Sequence, residues 1–121
     1  MNDDNVLERL NALTVDDYVR AFKALCEQLT ESDIRLLRVH YAAPEHVATA
    51  TELARGVGFA NYNAVNLRYG LLGKKFLDYF GVALEKYAKV NALVTLEKTS
   101  GEWEWTLRPQ VVEALSKIGL V

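Results

Sequence analysis

Asn61, Tyr62, Asn63, Asn66 and Arg68 crowd into one short stretch, and their side chains are of the kinds that read nucleobases. A carboxamide meets adenine through two atoms, and a guanidinium meets guanine or a phosphate. Arg55, Lys74 and Lys75 suit the phosphate backbone. With Arg68 they are the only charged residues between Glu52 and Asp78, so the middle of the chain is a basic island. Only the local field at a contact matters at a Debye length of roughly 8 Å, so such an island could face DNA in an otherwise acidic protein. Each residue also has an ordinary structural use: Asn61 as a helix cap, Tyr62 as a core aromatic with a wet tip, Arg68 as a snorkelling helix residue.

Other chemistries fit less well. Trp103 and Trp105 alternate on one strand face and could stack a base, but core packing is the expected use. Cys26 with His40 or His46 would make a thiol and its base, yet nothing local orients them, and Cys26 falls on an apolar helix face. One Cys and two His do not complete a zinc site at any usual spacing. Gly70 and Gly73 lie inside a helical pattern and lack the phosphate-loop spacing. The expectation is a chain that is not an enzyme and needs no cofactor or metal.

The elements that must position these residues emerge from caps and periodicity. Thr14-Val15-Asp16-Asp17 and Thr30-Glu31-Ser32-Asp33 both place an acid three residues after a Thr cap. The first should open a helix with Val15, Tyr18, Phe22, Leu25, Cys26 and Leu29 inward, the second a helix that Pro44 stops. Residues 5–12 suit a short additional helix. Thr49-Ala50-Thr51-Glu52 is a full capping box, Gly58 suits a left-handed helix end, and Asn61 suits the cap of another helix. The helix that Asn61 caps should run from Tyr62 to about Phe80 and be largely buried. Val65, Tyr69, Leu72, Phe76 and Phe80 form one side, and Ala64, Leu67 and Leu71 another. Asn66, Gly70, Gly73 and Leu77 line a third stripe, where each interior glycine costs roughly 1 kcal/mol relative to Ala, so another backbone should come close there or the helix should bend.

Beyond Gly81 the period becomes alternating. Residues 92–96 read as a strand, Thr99-Ser100-Gly101 as a turn, and 102–107 as a second strand, giving a hairpin. Its Glu97, Glu102 and Glu104 outnumber Lys98 and would repel phosphate, so the hairpin should not grip DNA. Pro109 opens a last helix that Gly119 can end.

Composition sets the frame. The chain has 121 residues, half of them apolar and a quarter charged, which suits one domain with a self-sufficient core. Its acids concentrate in residues 1–34, where Asp3, Asp4, Glu8, Asp16, Asp17, Glu27, Glu31 and Asp33 face only Arg9, Arg20 and Lys23. No long apolar run is present, and the opening Asn2-Asp3-Asp4 is acidic where a signal peptide is basic, so the expected location is cytoplasmic, away from membranes.

The segments His40-Tyr41-Ala42-Ala43-Pro44, Thr49 to Ala54 and Gly58-Phe59-Ala60-Asn61-Tyr62-Asn63-Ala64-Val65-Asn66-Leu67-Arg68-Tyr69-Gly70 carry a family likeness. Leu72-Gly73, Trp105-Thr106-Leu107-Arg108-Pro109, Val112, Ala114 and Leu115 continue it. Over roughly residues 15–121 the chain resembles a small domain associated with the N-terminal side of bacterial HNH restriction endonucleases. The resemblance implies a non-catalytic module that presents or recognises DNA for a nuclease, and it brings no catalytic residues with it. These residues hold no HNH Cys/His nuclease segment, so the implied role is the reader without the cutter, or an adaptor.

The expected fold is mainly α with a small β-hairpin (α+β), a winged-helix-like helix-turn-helix with an N-terminal helical extension. One domain would span 1–121, with the extension over 1–45, the helix-turn-helix over 46–80, and the hairpin and last helix over 88–121. The expected function is DNA binding through Arg55, Asn61, Tyr62, Asn63, Asn66, Arg68, Lys74 and Lys75, linked to restriction or defence nucleases. The alternative is a protein-interaction or dimerisation adaptor, which meets a nuclease or a second copy of itself through the Asn66/Gly70/Gly73 stripe or the acidic first 34 residues. Winged helices do both, and fold does not fix function.

Overall fold

A computed structural model describes residues 3–121; Asn2 of the acidic opening lies outside the described residues. The chain forms α1 (Asp3–Asn11), α2 (Val15–Leu25), α3 (Glu31–Ala42), β1 (Val47–Thr49), α4 (Ala50–Val57), α5 (Tyr62–Phe80), β2 (Val94–Ser100), β3 (Glu102–Leu107) and α6 (Pro109–Lys117). Short 3₁₀ segments lie at Cys26–Gln28, Pro44–His46 and Lys86–Ala92. The protein is therefore mainly helical with a small antiparallel sheet, an α+β architecture.

The caps act as their sequences dictate. Thr14, Thr30 and Thr49 each accept from the amide three residues on, and Asp17, Asp33 and Glu52 return the bond to the cap's own N–H. Each box satisfies two amides that the first helical turn leaves without partners. Gly58 ends α4 at φ 92°, a left-handed conformation that costs a side-chain-bearing residue roughly 1–2 kcal/mol. Asn61 Oδ1 then accepts from Asn63 N at 2.9 Å and starts α5, so the connection between the two helices is short and fixed.

Two readings of the sequence need correction. The 3₁₀ segment Cys26–Gln28 turns Cys26 out of the core face of α2, and the residue is exposed. Leu67 and Leu71 are not buried: they are 64% and 45% exposed, because the parts of α5 that meet the core are the side of Val65, Tyr69, Leu72 and Phe76 and the adjoining Gly73 and Leu77.

The sheet has a third strand that the sequence did not reveal. β3 lies between β1 and β2, pairing Ala48 with Trp105 on one side and Leu96 with Trp105 on the other. β1 is only three residues long, and its strand form depends on this distant partner. Pro44 ends α3, and Glu45 and His46, at φ 56° and 61°, turn the chain into β1. His46 Nδ1 donates to the Tyr41 carbonyl at 2.7 Å across that turn.

One core joins all of this. Tyr18 and Phe22 of α2 meet Phe76 of α5, with the Phe22 and Phe76 rings edge-on at 4.8 Å. The Tyr18 hydroxyl donates to Ala92 O at 2.6 Å, and α6 adds Val111, Ala114 and Leu115. The first helices are thus part of the core. Val6 and Leu10 of α1 are buried, and Arg108 Nη1 donates to Asn11 Oδ1 at 2.6 Å.

The two helical glycines divide the stripe that the sequence marked. A Cβ on Gly73 would lie 2.1 Å from Lys89 O, whereas one on Gly70 would meet nothing within 4 Å. The close approach belongs to Gly73 alone. Gly73→Ala should therefore destabilise the fold by about 2 kcal/mol or more, and Gly70→Ala should stabilise the isolated chain by up to about 1 kcal/mol. Urea unfolding of both variants at low protein concentration checks the contrast; equal effects would contradict it.

Candidate functional site

α5 and the β2–β3 hairpin stand apart at their outer faces and leave an open groove of about 970 Å³. Tyr62, Asn63, Asn66, Leu67, Gly70, Leu71 and Lys74 of α5 line one side. The other side is made by Lys89 and Val90, by Leu96 of β2, and by Gly101, Glu102, Trp103 and Trp105. From Tyr62 to Lys74 the helical rise gives the groove a length of roughly 18 Å.

Periodicity decides which α5 residues face it. Positions 63, 66, 67, 70, 71 and 74 share one side, while 68 and 75 turn to another flank of the helix. The basic island is split accordingly. Lys75 Nζ donates to Gln28 O at 2.6 Å and to Asp33 Oδ2 at 3.1 Å, and Arg68 Nη1 stands 3.8 Å from Asp33 Oδ1. Asp33 is fully buried and also closes the α3 capping box, so it holds both cations on a flank of α5 away from the groove. Lys74 does line the groove, but its ammonium pairs with Asp78 at 2.8 Å. Arg55 is exposed on α4 outside the groove; among the described residues it alone of the four bases has no ion-pair partner.

The remaining expected site residues separate in the same way. Asn61 spends its carbonyl oxygen on the α5 cap. Tyr62, Asn63 and Asn66 are exposed and face the groove, and the carboxamides of Asn63 and Asn66 have no hydrogen-bond partner among the described residues. The sequence reading assigns Leu67, Leu71 and Trp103 to the core, whereas they are exposed at the groove, and it does not single out Lys89. The available signal was that α5 is apolar on more sides than one core can cover, which requires either full burial or a partner. Trp103 is 52% exposed while Trp105 is buried, so the tryptophan pair is shared between groove and core.

Burial behind the groove fixes its walls. His40 of α3 is fully enclosed, with Nε2 donating to Trp105 O at 2.8 Å and Nδ1 accepting from the Tyr69 hydroxyl at 2.5 Å. The Tyr69 and Trp105 rings lie 5.4 Å apart. One imidazole therefore ties α3, α5 and β3 together directly beneath the groove floor. Burial lowers the His40 pKa to about 4, with the positive field of His46 adding to the effect and the Trp105 carbonyl opposing it.

Other chemistries find no constellation. Among the described residues no group of three His, Cys, Asp or Glu side chains is placed to hold a metal ion, and no helix is long and apolar enough to cross a membrane. No family model, curated protein or solved structure matches the chain.

The state of His40 makes stability depend on pH. Its folded pKa lies below the unfolded value of about 6.5, so between about pH 4 and 6.5 the unfolded chain binds more protons and stability falls as pH falls. The loss from pH 7 to pH 5 should be about 2 kcal/mol in urea unfolding. His40→Asn should be less stable at pH 7 but lack most of this dependence. An unchanged pH profile in that variant would place the effect elsewhere.

Proposed function

We propose that the chain is a non-catalytic binding module of winged-helix plan, and that its groove between α5 and the hairpin receives an apolar segment of a protein. The plan is supported by the order α3, β1, α4, turn, α5, β2, β3, with the short β1 laid against β3. In this plan α4 and α5 are the helix-turn-helix and the β2–β3 hairpin is the wing.

The observation that carries the choice of partner is the clustering of exposed apolar surface. Tyr62, Leu67, Leu71 and Trp103 are each 45–64% exposed, and all four line this groove. Isolated apolar side chains on a surface need no explanation, but a contiguous patch rimmed by polar groups marks a docking site. The charges support the same choice. Three of the four bases of the central island are paired within the chain, and Glu97, Glu102 and Glu104 sit on the hairpin. A surface of this kind offers few cations for counterion release, the main source of affinity for duplex DNA.

A DNA reading retains one specific support: the free carboxamides of Asn63 and Asn66 in the first turns of α5, where a recognition helix meets base edges. Arg55 would then hold a phosphate. The likeness to the N-terminal modules of bacterial HNH restriction endonucleases is compatible with both readings. With the groove apolar, it favours the adaptor over the reader.

Titration against short duplexes, unmodified and methylated, at about 50 mM and about 200 mM salt separates the two. Tryptophan fluorescence and duplex mobility should show no binding tighter than the non-specific range of about 10⁻⁴–10⁻⁶ M. Tighter binding that falls at least tenfold at the higher salt, and is lost in Asn63→Ala, would replace the protein-docking reading with DNA recognition.

A further inference from the structure

We propose that the segment received by the groove is an extended one, which joins the hairpin as a strand antiparallel to β2 and turns alternate apolar side chains into the groove. This rests on the docking reading above and specifies the form of the partner.

The sheet order is β1, β3, β2, so β3 is paired on both sides while β2 has no strand on its outer side. The ladder shows which main-chain groups face that side. Arg108 N donates to Leu93 O at 2.9 Å, and directly opposed residues of an antiparallel pair alternate between bonded and unbonded. Along the register from there, Thr95 with Thr106 and Glu97 with Glu104 are the bonded pairs. Leu96 and Lys98 therefore turn their N–H and C=O groups outward, and among the described residues no other part of the chain bonds to them. Thr95, Glu97, Lys98 and Thr99 are exposed and Leu96 is half-buried, so a partner can reach this edge. The five residues from Val94 to Lys98 extend roughly 17 Å, close to the length of the groove. A register shift beyond Lys98 ends the regular edge there.

The two faces of β2 match different side chains. Leu96 lies opposite Trp105 and Lys98 opposite Trp103, and directly opposed side chains share a face. Leu96, Trp103 and Trp105 line the groove across from Leu67 and Leu71 of α5, so this is the groove face. The other face carries Thr95 and Glu97, with Glu104 directly opposite Glu97. Opposed carboxylates repel, and neither has an ion-pair partner among the described residues. A strand beside β2 with apolar residues at alternate positions and Lys or Arg between them suits both faces at once. Its apolar side chains enter the groove, and a cation comes beside Glu97. A helix laid in the groove covers the apolar side chains but leaves the outward amides of Leu96 and Lys98 without a partner. Both existing pairs of the sheet are antiparallel, and an antiparallel addition continues them. In that direction the residue bonded to Leu96 shares its face, so the partner's apolar residues are the ones whose amides bond to β2.

Two displayed peptide libraries of about twelve residues, selected against the full chain, test this. One alternates apolar residues with Lys, Arg or Thr; the other carries apolar residues at three- and four-residue spacing. Binders should come from the alternating library. N-methylation of a selected peptide at two apolar positions should weaken binding at least tenfold, and at two polar positions should have little effect. Lys98→Pro removes an outward N–H that β3 does not use, so circular dichroism should be unchanged and binding at least tenfold weaker, while Lys98→Ala binds as the wild type does. If Lys98→Pro disturbs the fold, the N-methylated peptides alone decide. Binders from the helical library alone, or binding indifferent to the position of N-methylation, overturn the added strand. Loss of that binding in Leu67→Asp would then show that the docking reading stands without it. No binder from either library at about 100 µM overturns both.

Discussion

The imidazole of His40 is where three elements meet. It reaches from α3 to a hydroxyl on α5 and a carbonyl on β3, with no exposed surface of its own. Both ring nitrogens are used, and the bond to Trp105 O requires Nε2 to carry the proton, so the neutral tautomer is specified. A buried group that uses all of its hydrogen-bonding capacity holds its partners at fixed separations, because losing either bond leaves a polar atom dry at a cost of about 1–3 kcal/mol. Tyr69 and Trp105 thereby stand side by side, and the gap between the outer face of α5 and the hairpin is set by that spacing. The groove is a consequence of how its floor is tied.

A second tie lies on another flank of α5. Asp33 is buried, caps α3 through one oxygen and draws Lys75 and Arg68 toward itself. A buried carboxylate without cations nearby would be costly, so these two bases are committed to the fold. The groove side of the same helix carries Tyr62, Leu67, Gly70, Leu71 and two asparagines, with Lys74 in a local pair with Asp78. The open face of α5 is thus mostly apolar and amide-bearing, while two cations of the same helix lie on another flank beside Asp33.

Much of this architecture was written locally. The three Thr caps, Gly58 and Asn61 fix helix starts and stops through bonds of a few residues' reach, and each falls where its motif lies. Pro109 opens α6 for the same reason. Structure that depends on distant partners was not legible. Val47, Ala48 and Thr49 form a strand only because β3 arrives from more than fifty positions later in the chain, through Thr106, Trp105 and Glu104. The basic island is contiguous in the sequence, but Asp33, which stands outside it, draws two of its four bases, Arg68 and Lys75, to one flank of α5. Leu67 and Leu71 looked internal because periodicity ranks faces without saying how many of them the core will cover. Gly70 and Gly73 looked alike, and only the path of Lys89 distinguishes them.

In the proposed role the helix-turn-helix, the hairpin and the apolar groove between them act as one protein-docking surface. The most direct test of that role is an amide chemical-shift map of the ¹⁵N-labelled chain bound to peptides selected against it from a displayed library. The selected peptides should be rich in apolar residues, and the shifts should concentrate at Tyr62, Asn66, Leu67, Gly70, Leu71 and Trp103. Shifts confined to another face, or selected peptides that leave α5 untouched, would contradict protein docking at this groove.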